Sequence, residues 1–130
     1  MQFDFSQGPV EENCVVFVRM GMAPRAGRHP RDRTVPFPPV LAGARLREKG
    51  AAYRLIEISG SGRGNRKAAR EIEKNGSRLV ILEIGYCEVG VFLDLLRSFR
   101  KRPECIAAYG PIAMKHPEVL LENNIDLCLL

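Results

Sequence analysis

Residues that could bind a metal or attack a substrate are few and scattered in this chain. Its four cysteines lie far apart, without the Cys-x-x-Cys spacing of zinc and iron–sulfur sites. We interpret Cys14, Cys105 and Cys128, which fall in apolar segments, as reduced thiols that pack like small hydrophobic residues. Cys87 falls in a loop at the site predicted below, and there an inert thiol is favoured over a reactive one.

No catalytic constellation is recognisable. The chain has two histidines, and no serine, histidine and acidic residue form a set with a nucleophile elbow. Glu11 and Glu12 pair two carboxylates, but residues 1–12 are predicted to be an N-terminal tail before a domain over residues 13–130. The glycines at 60, 62 and 64 do not fit the Gly-x-Gly-x-x-Gly spacing of dinucleotide-binding loops. The sequence indicates a binding module rather than an enzyme on its own.

The net charge of +5 raises the question of nucleic acid, because clustered Lys and Arg displace counterions from phosphates. The positive residues divide between the loop over residues 19–36 and the surfaces of predicted helices, and Trp is absent. No nucleic-acid partner is therefore predicted. With 130 residues, no apolar run that could span a bilayer and no secretory signal, the chain is expected to be one soluble cytoplasmic domain without a membrane partner.

The segments that must position any site alternate between strand and helix patterns. Short apolar runs predict strands over residues 13–19, 52–59, 78–85, 104–110 and 125–130. Helices are predicted over residues 37–50, 66–76, 89–102 and 116–124. Asn65 is expected to be the N-cap of the second helix, and His116 to lie near the N-cap of the last. The core stripe of the third helix is predicted to be Phe92, Leu95, Leu96 and Phe99.

Strands that alternate with helices imply a parallel sheet with right-handed crossovers. We predict a three-layer, doubly wound α/β fold of the flavodoxin-like or Rossmann-like type with strand order 2-1-3-4-5. The last helix is missing from this prediction, since the chain stops after the fifth strand. Strand 52–59 alternates enough between apolar and polar residues to lie toward a sheet edge.

Ligands of doubly wound sheets bind beyond the carboxyl ends of the strands, where the winding reverses. Here that point lies between the first and third strands, so the loop at 21–34 and the turns at 85–88 and 109–111 are expected to meet. Gly110 would let backbone approach a ligand because it has no Cβ. The predicted contacts are Gly21, Arg25, Arg28, His29, Gly85, Tyr86, Cys87, Tyr109, Gly110 and Pro111.

Three stretches give this chain a family resemblance: FPPVLAGARLREKGAAYRLIEI, RLVILEIG and IAAYGPIAMKHPEVLLENNIDLCLL. Over residues 13–130 the chain resembles the cobalamin-binding domain at the N-terminus of many radical S-adenosylmethionine enzymes. The resemblance implies a corrinoid across the carboxyl edge of the sheet. The residues it implies are Gly85, Tyr86, Cys87 and Gly110 as backbone contacts, with Arg25, Arg28 or Arg31 toward propionamides or phosphate.

Two motifs of that family are absent. Members that ligate cobalt through histidine carry Asp-x-His-x-x-Gly after the first strand, whereas this chain has His29-Pro30-Arg31-Asp32. Cobalamin is therefore expected without the usual histidine ligand, and no metal ligand is assigned. The Cys-x-x-x-Cys-x-x-Cys cluster motif is also missing, so the expected partner is a radical S-adenosylmethionine catalytic domain or subunit.

Two other functions stay open at this point. A degenerate domain without cofactor would act through protein–protein contacts or homodimerisation, with the face that a fifth helix would cover packed on another domain or copy. The alternative is an anion or nucleotide site in the arginine-rich loop after the first strand. A receiver domain is not predicted, because Arg19-Met20 and Gly85-Tyr86 stand where its acidic residues would be.

Overall fold

The computed structural model describes residues 14–21, 45, 47–74 and 76–129. Its strands are β1 Val15–Met20, β2 Tyr53–Ile58, β3 Leu79–Glu83, β4 Cys105–Tyr109 and β5 Leu127–Cys128. Its helices are α1 Gly62–Lys74, α2 Val89–Ser98, α3 Pro111–Lys115 and α4 Pro117–Leu121, and residues 45, 47 and 48 are also helical. None of the helices in this described part of the chain combines the length and the apolar character needed to cross a bilayer.

The strands form one parallel sheet in the order β2-β1-β3-β4-β5. This confirms the predicted α/β fold of the flavodoxin-like or Rossmann-like type, including its strand order. It also confirms the edge position of β2, whose alternating sequence suits a less buried strand. The predicted helix over residues 37–50 falls mostly outside the described residues.

One face of the sheet packs under α1 to α4, and we call it the helix-covered face. Valine, isoleucine and leucine side chains from the strands meet apolar residues of the helices there without gaps to solvent. The predicted stripe of α2 is confirmed, because Phe92 and Leu95 are fully buried while Leu96 and Phe99 pack against this core. Burial of this face supplies most of the described apolar core.

The opposite face, called the second face here, carries a smaller apolar cluster. An apolar row crosses all five strands in register: Leu55, Phe17, Ile81, Ala107 and Leu127. The rings of Phe17 and Tyr53 meet edge to face, with centroids 5.4 Å apart. Because side chains alternate along a strand, the residues directly before and after each of these positions point to the helix-covered face.

The N-cap of α1 differs from the prediction. Asn65 was expected to cap this helix, but α1 begins at Gly62, and the Ser61 hydroxyl accepts the Gly64 N–H at 2.9 Å. Asn65 lies one turn inside the helix and is fully buried. Its amide nitrogen donates to the Val91 carbonyl and to the Asp94 carboxylate, at 3.1 and 2.8 Å. A tertiary contact between α1 and α2 therefore explains an asparagine that resembles a cap in the sequence.

The last elements are shorter than predicted. The predicted helix 116–124 is α4, with His116 at its N-cap as expected, and the unpredicted α3 precedes it. The predicted strand 125–130 is reduced to the two residues of β5. Before β5, the Asp126 N–H still donates to the Ile106 carbonyl at 2.8 Å, but the Ile106 N–H is accepted by the Asp126 carboxylate, also at 2.8 Å, and this carboxylate binds Arg102 at 2.6 Å.

Candidate functional site

The winding of the sheet reverses between β1 and β3. The chain passes from β1 to β2 on one side and from β2 across to β3 on the other, so β1 and β3 are neighbours with connections leading away in opposite directions. In doubly wound sheets, ligands bind beyond the carboxyl ends of two such strands. The candidate site is therefore sought at residues that follow or end β1, β3 and β4.

The structure brings the described members of the predicted site to this one edge. Gly21 follows β1, the turn at 85–88 follows β3, and Tyr109, Gly110 and Pro111 end β4 and begin α3. Three predicted contacts, Arg25, Arg28 and His29, lie outside the described residues, as does Arg31. The arginine-loop alternative therefore stays a prediction.

The Gly85 turn is closed by a hydrogen bond of its own. The Glu88 carboxylate accepts the Gly85 N–H at 2.8 Å, and the Glu88 N–H donates to the Gly85 carbonyl at 3.1 Å. A Cβ at Gly85 would lie 2.7 Å from Oε1 of Glu88, so glycine leaves room for this carboxylate. The Gly85 N–H is thus already satisfied, and an incoming anion would have to displace Glu88 to reach it.

Gly110 has a structural role that the sequence did not indicate. Its φ is +115°, a region open to glycine, and a Cβ there would lie 2.7 Å from the carbonyl oxygen of Ile84. Gly110 was predicted to lack a Cβ so that a ligand could approach the backbone. In the structure, the space that a Cβ would need is occupied by the backbone that follows β3. Gly110 thereby allows β4 to turn directly into α3 beside the predicted crevice.

An exposed apolar surface lies at the same edge. Tyr86 is 54% exposed and Met114 is 67% exposed, the highest values among the large hydrophobic side chains of the described residues. Lys115 places its Nζ 5.7 Å from the Tyr86 ring centroid, a cation–π contact that orients the ring. We call Tyr86, Met114 and Lys115 the edge platform. Cys87 is also exposed in the turn beside it.

A row of polar side chains crosses the second face at the carboxyl end, and sequence reasoning missed it. Glu57 of β2 pairs in register with Arg19 of β1, and Glu83 of β3 pairs with Tyr109 of β4. Nε of Arg19 lies 3.3 Å from Oε2 of Glu83, which joins the two pairs across β1 and β3. We call Glu57, Arg19, Glu83 and Tyr109 the polar row. It lies at the strand pair where the winding reverses.

Two atoms of the polar row are buried without a hydrogen bond. The Arg19 side chain is 12% exposed, and its Nε has no hydrogen-bond partner among the described residues despite its closeness to Glu83. The Tyr109 hydroxyl is likewise buried and unpartnered within that part of the chain. Burial, together with the Glu83 carboxylate, raises the pKa of Tyr109 to about 12. The phenol is therefore a neutral hydrogen-bond donor at physiological pH, not a base or nucleophile.

The sequence did contain a signal for this row. VVFVR and LVILE are apolar runs that each end in a charged residue, at Arg19 and Glu83. Once the order β2-β1-β3 is assumed, the ends of neighbouring parallel strands must lie side by side, and the alternation of each strand fixes their common face. The strand order and the side-chain alternation together could have paired these residues.

The buried cysteines behave as predicted. Burial raises the pKa of the Cys14, Cys105 and Cys128 thiols above the usual value, which keeps them protonated and weakly nucleophilic. Residues 14–21, 45, 47–74 and 76–129 bring together no group of three or more His, Cys, Asp and Glu side chains that could hold a metal ion.

A scan against protein-family models finds no match to this chain, and a search of curated protein sequences finds none.

Proposed function

We propose that this chain is a cytoplasmic cobalamin-binding module that serves a radical S-adenosylmethionine catalytic domain or subunit and has no catalytic activity alone. The observation that carries the proposal is the exposure of Tyr86 and Met114 at the carboxyl edge, beside the point where the winding reverses. The family resemblance over residues 13–130 supplies the class of ligand. In this proposal the corrinoid lies across the edge platform.

The edge platform has the chemistry that a corrin ring requires. A corrin is broad and flat, its faces are apolar, and its rim carries amide groups that can stay in water. Tyr86 offers an aromatic face held by Lys115, and Met114 offers a flexible thioether that adapts to an irregular surface. Covering the exposed parts of these two side chains would contribute about 1 to 2 kcal/mol each.

The contribution of the chain in this proposal is binding and orientation. Tyr86 and Met114 would contact one face of the ring, and the exposed Cys87 and Pro111 border the same area. Bound cobalamin would supply the cobalt chemistry, in which the partner enzyme takes part. None of the described residues is assigned as a ligand of the cobalt.

The test is retention of hydroxocobalamin. Purified protein is incubated with the cofactor and desalted, and its absorbance spectrum is recorded. The proposal predicts a retained corrin band, and Tyr86→Ala and Met114→Ala should each weaken binding about tenfold, the equivalent of about 1.4 kcal/mol. A protein that elutes colourless would overturn the proposal.

The matched control is Val119→Ala. Val119 is exposed on α4 and apolar, so Val119→Ala subtracts exposed apolar surface from a residue outside the edge platform. Binding by this variant should equal that of the parent chain. A loss as large as that of Tyr86→Ala would show that the corrinoid does not use the edge platform. Gly110 is unsuitable as a test position, because a side chain there would meet the Ile84 carbonyl.

A second candidate function is favoured by the leucines at the β5 edge. Leu127 continues the apolar row of the second face and is 37% exposed, and β5 is the outer strand of the sheet. A degenerate domain acting through protein–protein contacts or homodimerisation would cover this edge. A dimer by light scattering, with no corrinoid uptake and conversion to a monomer by Leu127→Asp, would favour this function.

A further inference from the structure

The polar row combines features that a self-contained ion pair does not need. Arg19 and Glu83 are neighbours, yet Nε of Arg19 has no hydrogen bond to any described residue. The Tyr109 hydroxyl is also buried without a hydrogen bond to any described residue. Buried polar atoms in proteins are nearly always hydrogen-bonded, because an unpaired one costs about 1 to 3 kcal/mol. Two such atoms in one row, on either side of Glu83, indicate a place for a group that the described residues do not provide.

These atoms share one environment. Glu83 is the register partner of Tyr109, and its Oε2 lies 3.3 Å from Nε of Arg19, so Glu83 adjoins both residues that carry an unpaired atom. Phe17 and Ile81, two residues earlier on β1 and β3, belong to the apolar cluster of the same face. The hydroxyl, the guanidinium and the carboxylate therefore belong to residues of three adjacent strands at the carboxyl end of one face.

The charges of the row select the kind of group that fits. Arg19 is flanked in register by the carboxylates of Glu57 and Glu83, so the row has one more negative than positive charge. An anion is repelled by that excess. The unpaired atoms are both donors, the phenol O–H and the guanidinium N–H, whereas Glu83 supplies acceptor oxygens. The matching partner is neutral, with one acceptor and one donor a short distance apart.

We propose that Arg19, Glu83 and Tyr109 form a subsite for a neutral carboxamide. The amide oxygen accepts hydrogen bonds from the Tyr109 hydroxyl and from Nε of Arg19, and the amide NH₂ donates to the Glu83 carboxylate. This subsite goes beyond the corrinoid proposal, since it uses none of the edge platform. It applies to any ligand that carries such a group at the carboxyl edge.

The test uses propionamide as the probe and propionate as its anionic counterpart of the same shape. Each is titrated into ¹⁵N-labelled full-length protein while the amide signals of residues 19, 57, 83 and 109 are followed. Propionamide should shift these signals saturably in the millimolar range expected for so small a molecule. Propionate should bind at least tenfold more weakly. Equal or tighter binding of propionate, or no shift with either probe, would overturn the subsite.

Two variants separate the subsite from general surface effects. Tyr109→Phe removes only the hydroxyl and should weaken propionamide binding at least tenfold. Tyr86→Phe removes a hydroxyl from the edge platform and should leave it unchanged. The midpoint of thermal unfolding of Tyr109→Phe should equal or exceed that of the parent chain, because no described residue bonds the hydroxyl. A clear fall would show that the hydroxyl is already partnered, and the subsite would be refuted. The corrinoid test uses neither probe, so either proposal can fail alone.

Discussion

The two faces of the sheet differ most at its carboxyl end. On the helix-covered face, Ile58 and Ile84 are buried in a continuous apolar core. On the second face, one residue away on β2 and β3, stand Glu57 and Glu83 of the polar row. The same strands therefore build a core on one side and, on the other, a row of polar side chains with two buried donors that no described residue bonds.

This difference shows how a doubly wound sheet can place a core and a polar row on opposite faces of the same strands. Alternation sends successive side chains to opposite faces, so the core and the polar row can change independently. Substitutions on the helix-covered face should cost stability, whereas loss of the exposed Glu57 side chain or of the Tyr109 hydroxyl, which no described residue bonds, should cost little. Single substitutions on the two faces can test this contrast.

Gly110→Ala should have the largest effect, a loss of about 4 kcal/mol in the free energy of unfolding. Strain at a positive φ contributes about 1 to 3 kcal/mol, and the contact with the Ile84 carbonyl contributes a similar amount. Gly90→Ala is the matched control, since a Cβ there meets nothing within 4 Å and the residue lies in α2. It should stabilise the chain by about 0.5 kcal/mol. Urea unfolding measures both. Equal stabilities would contradict the close approach of β3 and β4.

The neighbours Ile58 and Glu57 compare the two faces directly. Ile58→Ala should lower the free energy of unfolding by about 3 kcal/mol, because it leaves a cavity in the core under the helices. Glu57→Ala should change it by less than about 0.5 kcal/mol, because that side chain is exposed. Chemical denaturation of the two variants gives the comparison. A large loss of unfolding free energy for Glu57→Ala would mean that the polar row stabilises the fold.

Asn65→Ala should cost about 2 kcal/mol. It removes the hydrogen bonds that join α1 to the Val91 carbonyl and the Asp94 carboxylate, and it leaves those acceptors without the amide. Arg66→Ala, at the next and exposed position of α1, should change stability by less than about 0.5 kcal/mol. Thermal and urea unfolding provide the measurement. If both variants behaved alike, Asn65 would have no bridging role.

Tyr109→Phe should have the smallest effect at neutral pH, within about 0.5 kcal/mol of the parent chain or slightly stabilising. The contrast appears at high pH. The pKa of Tyr109 is raised from 10.0 to about 12 in the folded chain, so its contribution to stability is complete below pH 10 and is lost as the pH rises toward 12. The phenylalanine variant lacks this loss. Free energies of unfolding of the two chains between pH 10 and 12 measure this difference. The cysteines also titrate at high pH, but both chains contain them and their contribution cancels. Identical pH profiles would contradict the burial of the phenol.

The sequence predicted the parts of the fold that depend on local periodicity. Apolar runs located the strands, and the spacing of Phe92, Leu95, Leu96 and Phe99 identified the core stripe of α2. It failed where tertiary contacts decided the outcome. Asn65 resembled a cap because its hydrogen bond to α2 cannot be read from the sequence, and at the start of β5 the Asp126 carboxylate takes the Ile106 N–H, which a backbone carbonyl would otherwise accept.

The candidate site was predictable in position but not in composition. The strand order placed the turns after β3 and β4 at the crevice, and Tyr86 and Gly110 do lie at that edge. The roles of the glycines depend on atoms that come close only in the folded chain, such as the Ile84 oxygen beside Gly110. The polar row requires knowledge of which strands are neighbours, so no single segment revealed it.

The corrinoid site proposed at the carboxyl edge of this sheet can be tested most directly by a ¹H–¹⁵N spectrum of the full-length protein titrated with hydroxocobalamin, whose low-spin cobalt(III) leaves the signals sharp. Binding at this edge predicts that the shifted signals belong to residues 83–88 and 109–115. Shifts confined to the exposed surfaces of α1 and α2, or a spectrum unchanged at excess cofactor, would contradict it.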